Sequence, residues 1–280
     1  MKRIKKLFIN LIAIAMTLVC VLSLTACGSD IRTLELDIQI YNYDTNGTTE
    51  NYTLTVDLYG HLAPETVNAI ESYVEDGYYD NAVFYKMSGR DSQIMLGDLV
   101  WDSTLKMNAV KPEIKGEFLR GGTQGSNLKN VKGAIGLWRS WFEYDGSYSN
   151  NNATATGRAT WYIPTADIAS YNDNFCVFAN YDVADEDNAA TISALEKALT
   201  AGNYEQYVIY YTGEYKDELA DENYGLTAHV ITKEEYDDTK DSLDVFEAED
   251  AQLVCYNATT VNVPMAKDAA AAKIVSARMA

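Results

Sequence analysis

Alternation of apolar and polar residues is the clearest signal near the start of the chain. Leu34, Leu36, Ile38 and Ile40 alternate with polar neighbours, as do Leu54, Val56 and Leu58, the pattern of two half-buried strands. Asn46-Gly47 between them supplies a hairpin turn. The period then changes. From Pro64 to Asp76, Val67, Ile70 and Val74 fall at i, i+3 and i+7, one apolar face of a helix. Pro64 suits the first helical position, Glu65 meets the positive end of the dipole, and Gly77 suits the left-handed residue that ends a helix. Further strand patterns occupy Ala82–Met87, Gln93–Leu96, Ala134–Trp138, Thr160–Ile163 and Phe175–Asn180. A second helix is expected over Asp187–Leu199, with Ile192, Leu195, Ala198 and Leu199 on one face. Gly121-Gly122, Gly125 and Asp145–Gly157 read as loops by composition.

The N-terminus carries a different pattern. Lys2, Arg3, Lys5 and Lys6 precede an almost wholly apolar run from Leu7 to Leu24, and small residues then lead to Cys27. That order is expected of a signal peptide over residues 1–26 with Cys27 as a lipidated cysteine, followed by a tether to residue 33. The run is also about as long as a membrane span, so an uncleaved anchor is the competing reading. Two acyl chains on Cys27 would hold the chain to a membrane, facing the extracytoplasmic side. The other cysteines are Cys20, within the apolar run, and Cys176 and Cys255, in apolar surroundings. A Cys176–Cys255 disulfide outside the cytoplasm and two buried thiols are the alternatives.

Composition narrows the classes. The chain is 47% hydrophobic and 11% aromatic, enough for a substantial core. Its formal net charge of −19 becomes −23 once the four basic residues of the leader are removed. Nucleic acid and anionic lipid are thereby excluded as electrostatic partners. No spacing of cysteine or histidine suits a metal, His61 and His229 stand far apart, and the acidic run Asp182–Asp187 lacks the glycine of a calcium loop. Neither cofactor nor metal is expected.

Several motifs together resemble the cyclophilins, the β-barrel family of peptidyl-prolyl cis-trans isomerases. Ala63-Pro64-Glu65-Thr66-Val67, Gly77-Tyr78-Tyr79-Asp80 and Phe84-Tyr85-Lys86 follow the family's A-P-x-T-V, G-Y-Y-D and F-H-R. Gly97-Asp98, Gly133–Leu137, Ala159–Ile163 and Val177-Phe178 are similar to its later motifs, and Ala272–Ala277 to its closing strand. The resemblance implies a mainly β chain with two helices, a cyclophilin-like closed β-barrel over residues 34–202. An α/β insertion follows at 203–250, and C-terminal strands at 251–280 complete the barrel.

The resemblance also implies a chemistry. A prolyl amide crosses a barrier of about 18–20 kcal/mol because rotation breaks resonance. As the bond twists, its nitrogen becomes a hydrogen-bond acceptor, and a fixed donor in an apolar slot stabilises that state without acid–base or covalent steps. The family's catalytic arginine falls on Lys86, where the charge stays and the planar fork is lost. Phe84, Met95, Leu137, Tyr162 and Phe175 would line the proline slot, with Met95 where the family has glutamine and Phe175 where it has histidine. The expected partners are proline-containing unfolded or extended polypeptides, and the expected activity is a reduced isomerase assisting extracytoplasmic folding. A cyclophilin-like domain without catalysis, binding peptide or a partner protein through its insertion, is the rival reading. A solute-binding lipoprotein fits less well, since paired α/β domain patterning is absent.

Overall fold

The computed structural model describes residues 30–44, 47–118, 128–139, 157–212, 227–243, 256–267 and 269–280. The leader, Cys27, Cys255 and the 145–156 part of the expected loop lie outside these, so the lipidation and disulfide readings do too. Among the described residues no helix is long and apolar enough to cross a membrane.

Strands β1 (Ile31–Asn42) and β2 (Thr48–Tyr59) form the expected hairpin. Leu34, Leu36, Ile38 and Ile40 are all buried, as are Leu54, Val56 and Leu58, so the alternation marks the core face. Helix α1 (Pro64–Glu75) buries Val67, Ile70 and Val74 together with Thr66 and Tyr73. Gly77 ends it at φ +69°, where Tyr78 N–H donates to the Tyr73 carbonyl and Gly77 N–H to that of Val74. Its N-terminal residue Ala63 offers no side-chain cap. The buried carboxylate of Glu117 caps the helix instead, accepting from Glu65 N–H at 3.0 Å and Thr66 N–H at 2.8 Å. An anion there also meets the positive end of the helix dipole.

The remaining elements are β3 (Lys86–Met87), β4 (Gln93–Leu96), β5 (Leu99–Asp102), β6 (Thr104–Met107), β7 (Ala134–Arg139), β8 (Gly157–Pro164) and β9 (Val177–Asn180). Helix α2 (Glu186–Thr200), capped by the Asp185 carboxylate, comes next. After it come β10 (Tyr204–Thr212), β11 (Thr227–Thr232), α3 (Lys233–Leu243), β12 (Tyr256–Ala266), β13 (Ala269–Ala270) and β14 (Ala272–Met279).

Seven strands form one sheet in the order β14-β1-β2-β9-β7-β8-β4. The expectation of a closed barrel needs correction, because this ladder is an open half-barrel. Its two edge strands are spanned by Ala82–Tyr85, which forms single bridges: Ala82 with Val100, Val83 with Lys273 of β14, and Tyr85 with Met95 of β4. Neighbouring residues of this segment pair with three different elements, so the expected strand Ala82–Met87 shortens to β3. Strands β10 and β11 of the insertion join β12 and β13 in a second sheet, β11-β10-β12-β13, to which β3 also pairs. Of the C-terminal strands, β14 joins the seven-stranded sheet, whereas β12 pairs with β10.

The main core, between the curved sheet and helices α1 and α2, holds Phe84, Ile94, Leu96, Leu137, Trp161 and Phe178. A second cluster forms on the other face, where Met95 and Tyr162 meet Tyr207 and Ile209 of the insertion and Val261 and Val263 of β12.

Candidate prolyl-binding face

Strand pleat decides which side chains converge. Cross-strand partners share a face, and successive residues alternate. Met95 pairs with Tyr162, and Tyr85 bridges Met95, so these three point to the second cluster. Leu137 pairs with Trp161, which puts both on the main-core face. Phe84 precedes Tyr85 and also enters the main core. The five expected slot residues therefore divide. Met95, Tyr162 and Phe175 converge on the outer cluster, while Phe84 and Leu137 lie on the opposite face. All five are buried, from 0% exposed for Tyr162 to 3% for Leu137.

Tyr162 is held by its hydroxyl as well as its ring. It donates to the buried Asn130 side-chain oxygen, and Asn130 N–H in turn donates to Asn172 at 2.8 Å. Burial pushes the Tyr162 phenol well above its ordinary range, with Cys176 and Tyr171 adding to the effect. Gly136 lies beneath this ring so closely that a Cβ there would stand 2.2 Å from Tyr162 Cζ. Phe175 stacks on Trp138 with centroids 5.3 Å apart and meets Tyr171 in a tilted contact at 4.4 Å.

Four side chains of this face were not singled out from the sequence. Arg90 places its guanidinium 5.1 Å from the Trp138 ring centroid and donates to the Tyr171 hydroxyl. Gln93 is buried, donates to Met95 Sδ at 3.2 Å, and also lies at the Tyr171 hydroxyl. Burial raises the Tyr171 phenol while Arg90 and Gln93 oppose the shift. Strand parity was the available signal: Trp138 follows Leu137, and Gln93 stands two residues before Met95. Arg90, in the turn between β3 and β4, carried no such pattern.

Lys86 stands at the rim, half-buried. Its Nζ donates to the Asp91 carbonyl at 3.2 Å, and its backbone pairs with Asn262 of β12. Beside the cluster, the Asp98 carboxyl accepts from the Tyr85 hydroxyl at 2.7 Å. Burial raises it to about 6, against that hydrogen bond. Cys176, in the main core with Thr66 at 3.6 Å, is pushed up to about 12 by burial and is an unreactive thiol. Among the described residues no group of three or more histidine, cysteine or acidic side chains is arranged for a metal.

Two cavities lie elsewhere. One of about 490 Å³ is lined by Tyr41, Tyr43, Tyr204 and Met265 among others, and one of about 450 Å³ by Tyr59, Lys129, Lys132 and Val183 among others. The face that carries Met95, Tyr162 and Phe175 is itself filled by the protein's own side chains.

No curated protein matches the chain. Among solved structures, the cyclophilin type peptidyl-prolyl cis-trans isomerase of Cryptosporidium parvum is 14% identical, with a TM-score of 0.39 over 60% of this chain and 85% of that one. A structure of that protein in the presence of the dipeptide Ala-Pro is 16% identical, with a TM-score of 0.37 over 58% of this chain and 85% of that one. A family model described as cyclophilin type peptidyl-prolyl cis-trans isomerase/CLD matches residues 44–211, from the hairpin through almost all of β10. Since that match spans more than half of the sequence, the chain belongs to the cyclophilin type peptidyl-prolyl cis-trans isomerase family.

Proposed function

We propose that this protein isomerises Xaa-Pro bonds of extended polypeptides on the outer face of the sheet, as a lipid-anchored folding helper outside the cytoplasm. The observation that carries the reading is the convergence of Met95, Tyr162, Phe175, Trp138 and Tyr171 with two cations, Lys86 and Arg90, at one rim. A proline ring needs an apolar wall, and a twisting prolyl nitrogen needs an N–H donor close by. Lys86 is the proposed donor. The Arg90 guanidinium is engaged by Trp138 and Tyr171 and holds the aromatic wall. Catalysis of this kind needs no cofactor, because no bond is made or broken and no proton is transferred.

The chain should accelerate cis–trans exchange of an Xaa-Pro peptide, measured by line-shape or exchange NMR. Lys86→Ala should then lose about tenfold or more of that acceleration, since removing one donor aimed at the transition state commonly costs 10²–10³ and a flexible ammonium is less well oriented than a fixed one. Full activity in Lys86→Ala would remove Lys86 from the mechanism. A second reading, a non-catalytic domain that binds peptide or a partner protein, is favoured by the burial of all five expected slot residues. It wins if the parent chain binds proline peptides and leaves their exchange rate unchanged.

The anchoring part of the proposal rests on the leader pattern and Cys27. Cys27→Ser should move the protein from the membrane fraction to the soluble one while leaving its circular dichroism unchanged. Retention in the membrane would favour the uncleaved span.

A further inference from the structure

We infer that the sheet carrying β10 and β12 is a displaceable cap that holds the prolyl-binding face closed, an autoinhibitory contact resting on the reading of that face as the substrate site. Four cap side chains, Tyr207, Ile209, Val261 and Val263, are buried in the same cluster as Tyr85, Met95 and Tyr162. They occupy the place where a proline ring would meet those walls. Strand β12 also takes the backbone positions beside the proposed donor. Val261 pairs with Met87 and Asn262 with Lys86, and Ser88 N–H donates to the Thr260 carbonyl at 2.9 Å. An extended peptide reaching Lys86 by strand addition would compete for these same groups.

The way the cap is attached lets it move as a unit. The chain enters it just after α2 and, after β12, turns at Lys267 into the short β13 that leads out to β14, and each of these places has a residue with positive φ. Gly202 has φ +79°, and nothing lies within 4 Å of a Cβ placed on it; Lys267 has φ +58°. The crossings are tied to one another by Met265 N–H donating to the Asn203 carbonyl at 2.9 Å. Beside them lies the 490 Å³ cavity, whose wall includes Asn203, Tyr204, Met265 and Lys267 on the cap side and Tyr41 and Tyr43 on the hairpin side. Two adjacent strands, a glycine with open space around it and neighbouring free volume are what rotation of the cap requires. The apparent Kd for substrate is then the intrinsic Kd divided by the fraction of molecules with the cap open.

A disulfide between paired strands tests this directly. Met87→Cys and Val261→Cys, opposite one another in the β3–β12 ladder, lie within the usual Cα separation for a bridge. In a Cys255→Ser background, with Cys176 buried, oxidation should lower the exchange rate of an Xaa-Pro peptide about tenfold or more, and reduction should restore it. Val263→Ser, which weakens the cap without locking it, should raise the rate about threefold and speed hydrogen exchange at Met87 and Val261. Equal rates in the oxidised and reduced forms would overturn the cap while leaving the isomerase reading intact. If the parent, reduced and weakened chains all fail both to isomerise and to bind the peptide, the site reading falls and the cap falls with it.

Discussion

Gly97→Ala should destabilise the fold by about 3–5 kcal/mol, a large share of the roughly 5–15 kcal/mol that separates folded from unfolded domains. Two costs add. Gly97 has φ +115°, outside the small left-handed well that L-residues tolerate, and such conformations cost about 1–3 kcal/mol. A Cβ there would also stand 2.4 Å from the Ala159 carbonyl oxygen. That is backbone of β8, so the clash cannot be relieved by rotating a side chain, and overpacking of this kind costs about 1–3 kcal/mol or more. Thermal unfolding should show a fall of about 10 °C in Tm. Gly89→Ala is the control: its φ is +75°, but nothing lies within 4 Å of the added carbon, so it should cost only about 1 kcal/mol. Equal losses in the two variants would show that backbone conformation alone, and not the approach of β8, requires Gly97.

Asp98→Asn should stabilise the protein at alkaline pH and leave it unchanged in acid. The Asp98 carboxyl titrates at about 6 in the folded state, raised from 3.8 chiefly by burial. Below about pH 3 it is largely protonated whether the chain is folded or not, and the asparagine gains almost nothing. As pH rises towards 6, the unfolded chain ionises freely while the folded one must hold a charge in poor solvent. Native stability therefore falls through that window relative to the variant, and the difference is constant above it. Two pKa units correspond to at most about 2.7 kcal/mol. Asp98 is only half-buried, so about 1–2 kcal/mol is expected. Asparagine keeps an oxygen acceptor for the Tyr85 hydroxyl. Urea unfolding at about pH 3 and pH 8 checks the prediction, and a variant less stable at pH 8 would refute it.

Local punctuation made much of the framework readable. Pro64 and Gly77 bracket α1 because first and last helical positions have distinct backbone demands, and both stand where those demands place them. The four alternating apolar residues of β1 are all buried for the same kind of reason. The site is less legible, because family motifs point to slot residues without regard to strand parity. Phe84 and Leu137 sit in strand-like segments whose neighbours Tyr85 and Trp138 face the outer cluster instead. Lys86, two residues from Phe84, reaches the rim because β3 leaves the barrel seam to pair with β12. Nothing local announces that pairing. Val261 and Met87 are partners across most of the chain, Glu117 and the start of α1 are also far apart in sequence, and long-range pairs leave no periodicity to read.

The pairing of β14 with β1 gives the barrel an awkward birth. Leu34 finds its partner in Met279 and Ile40 in Ala272, so β1 keeps one side unsatisfied until residues far later in the chain are made. Contacts so distant in sequence slow folding, because the loop between them must be closed before they repay it. Throughout that wait the outer edge of the β1–β2 hairpin is a template for any other extended chain. A protein of this family, proposed to assist others through slow steps of folding, thus has a slow and exposed step of its own.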